Sequence, residues 1–294
     1  MLAALSSLAL LAGAVLGSPI NLVDISPRSL DHYNPNVTIH ESCNSTQRRM
    51  LEQALADTYE VAEFAKEYIV AQGPQDPVFQ LYFGNETASY ATVLGIWDAL
   101  LHSDKPGVLL RCDDIDGNCH QPGWRGHWRG ENGTSETVIC DASYVDRKFN
   151  LEFCMHGFRL DAVKPAFYWS IDLIHRLFHV PSVTNGLVDH FAEDLHEVVE
   201  LAAHNGTFAA VDSNALQYFA AHVYAIEVAK GGDACIGDIR NAPSSSGDAH
   251  AAASSAPSAT DTQTASQQPG SSPSQTATAA AECHTHSDGV VHCT

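Results

Sequence analysis

Two histidines, His175 and His179, lie four residues apart in the segment SIDLIHRLFHVP. In an α-helix this spacing places both imidazoles on one face, where they can bind the same metal ion. The spacing alone is weak evidence, because about one such pair is expected by chance in a chain with 16 histidines. The surrounding residues therefore decide whether the pair is a metal site or two ordinary core histidines.

Three features of the surrounding sequence favour a metal site. Residues 166–174 form an apolar helical run, so the histidines should lie on a largely buried element that must supply them with partners. Pro181 predicts that the chain turns away after the pair. His190 then follows His179 by eleven residues and can return a third ligand.

The predicted zinc ligands in this region are three imidazoles, those of His175, His179 and His190. Such a set leaves the fourth position of a tetrahedral site open to water or to an acidic side chain. Asp189 or Glu193 could replace His190, and Asp194 is a further candidate for the zinc site.

The C-terminal segment CHTHSDGVVHCT is a second candidate metal site. Its predicted ligands are His284, His286 and His292. Cys283 and Cys293 flank these histidines and either form a disulfide or contribute thiolates to the site. An extracellular location favours the disulfide.

The elements that must position these residues follow from the hydrophobic pattern. Apolar residues at helical spacing predict helices at 44–70, 89–101, 161–180, 187–203 and 213–228. Short alternating runs predict a small sheet within residues 107–145. The expected fold is therefore α+β, mostly helical, with His190 near the start of the fourth of these helices.

Several other motifs receive structural interpretations. Trp124 and Trp128 are expected to pack in a strand, with His127 between them facing solvent. The acidic segment CDDIDGNC lacks the spacing of a calcium loop, and Cys112 and Cys119 at its ends suggest a small disulfide loop instead. The remaining histidines of the last helices are interpreted as surface or core residues: His196, His204 and His222.

Composition divides the chain into four parts. Residues 1–17 are apolar and predict a secretory signal peptide. Residues 18–239 have the content of one globular domain, and residues 240–282, rich in Ser, Ala and Thr, predict a disordered linker. Residues 283–294 form the Cys/His tail. No segment after the signal peptide is apolar enough to span a membrane.

Charge, cysteines and glycosylation motifs indicate an extracellular protein. The formal net charge is -20, which argues against binding nucleic acid. Eight cysteines in a secreted chain predict disulfides, although their spacing does not reveal the pairing. Glycosylation motifs occur at Asn36, Asn44, Asn85, Asn132 and Asn205.

Two segments, HRLFHVPSVTNGLVDH and DSNALQYFAAHVYAIEV, resemble the zinc helix, third ligand and closing helix of the deuterolysin (aspzincin) metalloproteases. His190 stands where that family has an aspartate ligand. Together with the terminal CHTH and HC, the same segments more closely resemble the fungal zincophore or pH-regulated antigen family, which includes a major Aspergillus allergen. The resemblance implies a zincin-like domain and zinc as the bound metal.

Arg176 departs from the protease pattern, which has glutamate at this position of H-E-x-x-H. The glutamate takes a proton from the zinc-bound water, whereas arginine stays protonated and cannot act as a base. A well-placed base contributes about 10²- to 10⁴-fold to the rate. We therefore assign no catalytic residue, although Glu193, Asp194 or Glu197 could serve as an alternative base.

The resemblance implies a secreted zincophore that captures extracellular Zn²⁺ and delivers it to a plasma-membrane zinc transporter. It also implies a surface antigen, associated with the cell wall, that binds host extracellular or complement proteins. Two alternatives stay open at this point. One is an active metallopeptidase with another base, and the other is a host-binding antigen in which zinc is only structural.

Overall fold

The computed structural model describes residues 37–242 and, in the tail, the backbone of residues 283–285 and 291–293. The predicted signal peptide, residues 243–282 of the predicted linker, and His286 lie outside the described residues. The longer helices are α1 (Ser45–Gln72), α2 (Pro77–Phe83), α3 (Thr87–His102), α5 (Trp169–Phe178), α7 (Leu195–His204) and α9 (Ser213–Glu227). The short helices are α4 (Asp141–Asp146), α6 (Pro181–Thr184), α8 (Gly206–Ala209) and α10 (Gly232–Ile236).

Four short strands form one sheet in the order β1-β2-β4-β3. The strands are β1 (Thr38–Ile39), β2 (Leu109–Arg111), β3 (Gly126–Trp128) and β4 (Glu136–Ile139). The first two pairings are parallel, whereas β3 pairs antiparallel with β4 and forms an edge of the sheet. Strands β5 (Cys283–Thr285) and β6 (Val291–Cys293) form a separate antiparallel hairpin in the tail. The predicted α+β, mostly helical fold is confirmed.

Helix α5 lies between the sheet and the helical core. Its residues Ile174 and Phe178 belong to the large apolar core, to which α1, α3 and α9 also contribute. Trp169 and Leu173 instead pack in a smaller cluster with Leu110 of the sheet. Because apolar contacts hold α5 on two sides, the orientation of its remaining face is fixed.

The structure changes the predicted bounds of two helices. The predicted helix at 161–180 is confirmed only from Trp169 to Phe178, because Pro165 begins a separate 3-10 turn and residue 164 before it is not helical. The predicted helix at 187–203 begins at Leu195, where the Asp194 side chain accepts a hydrogen bond from the backbone N–H of Glu197 and caps the helix. The prediction that His190 lies near a helix start was therefore wrong.

Three disulfides cross-link the domain, and they correct one prediction. They join Cys43 to Cys112, Cys119 to Cys140 and Cys154 to Cys235. Cys112 and Cys119 therefore do not close the small loop that their flanking positions suggested. The acidic loop is held instead by Asp114, whose carboxylate accepts hydrogen bonds from the backbone N–H groups of Asn118 and Cys119. No helix in the described part of the chain combines the length and apolar character that a membrane span requires.

His222 is a core histidine, and its burial predicts an acid-sensitive fold. Its Nδ1 lies 3.0 Å from the hydroxyl of Tyr82, and burial lowers the pKa of His222 from 6.5 to about 4. As pH falls between these values, the unfolded chain takes up a proton that the folded chain does not, so stability is lost. As the pH is lowered, we expect the free energy of unfolding to fall by about 3 kcal/mol less in His222→Asn than in the unaltered chain.

The measurement is urea unfolding of both chains at a series of pH values from 4 to 7. His102→Asn is the matched control, because the side chain of His102 is 44% exposed. Equal pH dependence of the unfolding free energy in His222→Asn and the unaltered chain would contradict the assignment.

Candidate metal centre

The three predicted histidines of the domain converge through their Nε2 atoms. Nε2 of His179 lies 3.0 Å from Nε2 of His175 and 2.9 Å from Nε2 of His190. All three donor atoms lie within 4.8 Å of one another. The structure thus brings together two residues at the end of a helix and one residue from a separate loop.

Helix α5 presents two of these imidazoles on the one face that the core leaves uncovered. The residues beside them, Ile174 and Phe178, are fully buried, whereas His175 and His179 are only half-buried. His179 is the C-cap residue, and the chain then turns at Pro181 into the short helix α6. The i, i+4 spacing therefore places both ring nitrogens toward the same cleft.

His190 lies in the loop before α7, and Asp212 holds this loop in place. The Asp212 carboxylate accepts hydrogen bonds from the backbone N–H groups of Phe191 at 2.7 Å and Ala192 at 3.1 Å. It also caps α9 through the N–H of Ala215 at 2.6 Å. One buried side chain therefore fixes the third histidine relative to α9.

Burial raises the pKa of Asp212 from 3.8 to about 7, although its three backbone N–H donors oppose this shift. A carboxyl group with a raised folded-state pKa binds more protons in the folded chain than in the unfolded chain. Asp212 therefore makes the fold less stable as the pH rises from about 4 to 7, opposite in sign to His222.

The donor set fits a zinc ion. Zinc–nitrogen bonds of about 2.0–2.1 Å place the nitrogens of a tetrahedral site about 3.3 Å apart, only a few tenths of an ångström beyond the spacings here. Imidazole nitrogen is a common ligand for Zn²⁺, and three neutral imidazoles leave one position for water or another ligand. Calcium and magnesium prefer oxygen ligands and fit these residues poorly.

Gln217 on α9 supports His175 from behind. The Gln217 side-chain amide lies 3.0 Å from Nδ1 of His175 and also contacts Ser213. In this arrangement the Gln217 amide nitrogen faces Nδ1 of His175 and donates to the carbonyl of Ser213. When Nε2 binds a metal, Nδ1 carries the proton and needs an acceptor, which Gln217 would supply only by turning its side-chain oxygen toward the ring. Gln217 therefore contacts His175 at the nitrogen that does not face the other two histidines, and we expect it to position the ring.

This contact predicts the effect of two substitutions on zinc affinity. We expect Gln217→Ala to weaken zinc binding about 10- to 100-fold, as outer-shell changes at metal sites do. Gln217→Glu supplies an anionic acceptor and should bind zinc at least as tightly as the unaltered chain. Competition titration against a chromophoric chelator measures both, and equal affinities in all three chains would show that the contact does not support the site.

Arg176 belongs to a buried ion-pair network. Its Nε and Nη2 donate hydrogen bonds to the Asp172 carboxylate at 2.8 and 3.0 Å, and Arg147 also pairs with Asp172 at 2.5 Å. Arg176 is only 7% exposed and packs against the backbone of Gly126, where even an added Cβ would collide with its guanidinium. The residue at the position of the protease base thus joins α5 to the edge strand β3.

The nearby carboxylates have structural partners. Asp194 caps α7, and the Glu197 carboxylate accepts a hydrogen bond from the backbone N–H of Glu193 at 2.7 Å. The Asp189 carboxylate accepts one from the backbone N–H of His190. Within residues 37–242, the grouped donor atoms of this cleft are those of the three histidines, without a carboxylate.

Sequence reasoning missed the supporting residues and misplaced one histidine. The role of Asp212 could have been recognised from the sequence, because Asp212 directly precedes a predicted helix, as a capping residue does. Gln217 and Arg147 had none, since their contacts join segments distant in sequence. His127 was expected to face solvent, but it is buried at 5% exposure because β3 turns this position toward the Cys119–Cys140 disulfide.

The tail hairpin contains two of the three predicted tail ligands. Its register places Cys283 opposite Cys293 and His284 opposite His292. The Cα atoms of β5 come within 8 Å of those of β3, the strand that borders the three-histidine cleft. The backbone of the tail therefore lies beside the domain site.

Comparison with known proteins supplies the family. The model of the HRXXH family, described as a "Putative peptidase family", matches residues 21–238. The chain is 41% identical over 262 residues to "Major allergen Asp f 2" of Aspergillus fumigatus, covering 87% of this chain and 84% of the allergen. It is 39% identical to "pH-regulated antigen PRA1" of Candida albicans, covering 74% and 73% of the two chains.

Two further proteins are similar. "Protein ZPS1" of Saccharomyces cerevisiae is 38% identical, over 69% of this chain and 80% of that protein. A solved structure, a zinc peptidase from Grifola frondosa, aligns with a TM-score of 0.46 and 15% identity, over 61% of this chain and 97% of the peptidase. The family match spans most of the chain, and the relatives match over most of their own length. The chain therefore belongs to the HRXXH family and is a homologue of these fungal antigens.

Proposed function

We propose that this protein is a secreted antigen that captures extracellular Zn²⁺ and delivers it to a zinc transporter in the plasma membrane. The observation that carries the proposal is the convergence of three Nε2 atoms, from His175, His179 and His190, at spacings suited to zinc. Zinc is cargo in this proposal.

The residue beside the site favours binding over hydrolysis. A peptidase needs a base near the zinc-bound water, and Arg176 is a permanent cation held by Asp172. Without a base the site retains zinc but loses about 10²- to 10⁴-fold in rate. A site that binds metal without acting on a substrate suits capture and release.

The tail extends the proposal to metal transfer. Because β5 lies beside β3, tail ligands His284 and His292 have their backbone close to the rim of the domain site. A tethered second site has a high effective concentration at the first, which favours exchange between them. The tail is thus suited to pass zinc between the domain and a transporter.

An extracellular location agrees with the covalent structure. The domain has three disulfides, which form and persist mainly in oxidising environments. Asn44, Asn85 and Asn132 of the glycosylation motifs are exposed. Relatives of this chain are named as an allergen and an antigen, which supports a location where host proteins and antibodies meet it. Cell-wall association and binding of host complement proteins belong to the same proposal.

Equilibrium zinc titration of the full chain tests this function. We expect at least two classes of zinc site, and removal of the tail histidines should eliminate the tail class and leave the domain class unchanged. The tail variant is His284→Ala with His286→Ala and His292→Ala.

Delivery is tested by radioactive zinc uptake into cells whose only high-affinity importer is the plasma-membrane transporter, with and without loaded protein. Unchanged zinc stoichiometry in the tail variant would refute the tail site. Uptake no faster than from free zinc would refute delivery to the transporter.

A metallopeptidase is the second candidate, because the matching family model is described as a peptidase family. Incubation of the zinc-loaded chain with a denatured protein substrate distinguishes the two functions. The zinc-capture proposal predicts no cleavage that a chelator abolishes. Chelator-sensitive cleavage that is lost in Glu193→Ala or Glu197→Ala would favour the peptidase instead.

A further inference from the structure

A second cluster of metal-ligating side chains lies outside the three-histidine site, at the end of β4. One ligand atom each of Cys119, His127 and Cys140 lies within 4.8 Å of the other two. The two sulfurs are joined in a disulfide, and it is the thiolate that binds metal. The cluster therefore contains the residue types of a metal site, but two of its three ligands are oxidised and cannot bind metal.

His127 lies beside this cluster and has a free lone pair on one ring nitrogen. Its Nε2 lies 3.1 Å from the Asp116 carboxylate, which can only accept, so Nε2 carries the proton and Nδ1 is the acceptor. Nδ1 is buried and has no hydrogen-bond partner in the described part of the chain. Burial also lowers the pKa of His127, which favours the neutral form that a metal requires.

The group behind His127 resembles the outer shell of a metal site. Ligating histidines generally donate their other N–H to a carboxylate, which fixes the ring and raises its basicity. Asp116 has this position and is itself held by Arg129, whose Nε and Nη2 donate to it at 2.8 and 3.1 Å. The imidazole is therefore held in an orientation suited to binding a metal, although in the oxidised chain the two neighbouring sulfurs cannot bind one with it.

The arrangement does not depend on the disulfide alone. Residues 126–128 of β3 pair with residues 137–139 of β4, and the backbone N–H of Cys140 donates to the carbonyl of Arg125 at 2.9 Å. The Asp114 carboxylate holds the backbone of Cys119 at 2.9 Å. Each of the three ligands is thus anchored by backbone hydrogen bonds that remain after reduction.

We propose that reduction of the Cys119–Cys140 disulfide opens a Cys₂His site for Zn²⁺, with His127 as the third ligand and Asp116 as its positioning residue. Two equivalents of an external thiol reduce the disulfide by exchange, giving two protein thiols and one disulfide of the reductant. Zinc then displaces both thiol protons. The sulfurs must separate to about 3.8 Å, the spacing set by zinc–sulfur bonds of about 2.3 Å.

The other two disulfides provide an internal comparison. Within residues 37–242, neither Cys43–Cys112 nor Cys154–Cys235 belongs to a group of three or more such ligands. Reduction should therefore create one additional domain site, not three. The proposal is independent of the three-histidine site, because His175 and His179 contribute nothing to it.

Cobalt titration of the full chain tests the proposal, with a background in which both tail cysteines are replaced by Ser. Cobalt bound to thiolate gives an intense near-ultraviolet charge-transfer band. After reduction with a phosphine, which supplies the electrons without adding a competing thiol, we expect one further equivalent of cobalt and this band. His127→Ala should weaken the added site at least 100-fold, and Asp116→Asn about 10- to 100-fold.

The same number of equivalents before and after reduction would overturn the proposal, as would full binding by reduced His127→Ala. A second variant covers the case in which reduction unfolds the domain. Cys119→His leaves the other two disulfides intact and presents the introduced imidazole together with Cys140 and His127, without any reductant.

We expect this variant, as purified, to bind one additional equivalent of cobalt with a thiolate band that His127→Ala abolishes. Absence of that band in a folded Cys119→His chain would also refute the proposal. Circular dichroism of each variant establishes that the chain is folded.

Discussion

Replacement of both His175 and His179 by Ala is expected to weaken the domain zinc site by more than about 100-fold. Loss of a single outer-shell partner at a metal site costs about 10- to 100-fold, and this variant removes two of three direct ligands. The remaining imidazole of His190 cannot chelate alone. Competition titration at neutral to slightly alkaline pH should therefore show one high-affinity equivalent fewer than in the unaltered chain.

The matched control is His196→Ala with His204→Ala. These histidines lie on α7, outside the three-histidine group, and His204 is exposed. The control should bind zinc with unchanged stoichiometry and affinity. If the control and the α5 variant lose zinc equally, binding reflects a histidine-rich chain and not a built site.

Replacement of Arg176 by Ala should destabilise the fold by about 3 kcal/mol while leaving the domain zinc stoichiometry unchanged. Removing Arg176 deletes two buried hydrogen bonds to the Asp172 carboxylate, and a hydrogen bond to a charged group typically contributes about 1.5–3 kcal/mol. Asp172 keeps its contact with Arg147, so the lower end of that range applies. Urea unfolding of the apo chain measures the first effect and zinc titration the second.

Arg125→Ala provides the comparison for an exposed ion pair. Arg125 pairs with Asp146 at 2.5 Å, and the two side chains are 31% and 46% exposed. Such pairs contribute about 0–1 kcal/mol. If Arg176→Ala is no more destabilising than Arg125→Ala, the buried network has no structural role. Loss of zinc binding in a folded Arg176→Ala chain would instead make Arg176 part of the metal centre.

The juxtaposition of His175 and His179 could be predicted from the sequence because their geometry is local. His175 lies on helix α5 and His179 is the C-cap residue of the same helix, and the apolar run before them indicated which face is buried. Helix α9 was predicted almost to the residue, from Ser213 to Glu227, for the same reason. Local periodicity is read directly from the chain.

Features that depend on contacts distant in sequence could not be predicted. The apolar pattern from Leu187 suggested a helix, yet Asp212, about twenty residues away, binds the backbone N–H groups of Phe191 and Ala192 and holds them in a loop. The Cys119–Cys140 pairing depends on the register of β3 with β4. Spacing between cysteines carries no such information.

Arg176 is the arginine of the HRXXH motif, and its contacts show what this residue does in the chain. In this chain the side chain that replaces a catalytic base is structural, linking α5 to Asp172 and to β3. A zinc ion bound by the three histidines would therefore have no base at this position to activate a bound water. This arrangement is why we interpret the centre as a carrier site.

We expect His175, His179 and His190 to bind one zinc ion together. An anomalous difference map from a crystal of the zinc-loaded full chain, with data above and below the zinc absorption edge, tests this expectation most directly. The map should show a peak that lies about 2.0–2.1 Å from all three Nε2 atoms. Zinc peaks only at the tail or on surface carboxylates, with none between the three imidazoles, would contradict the assignment.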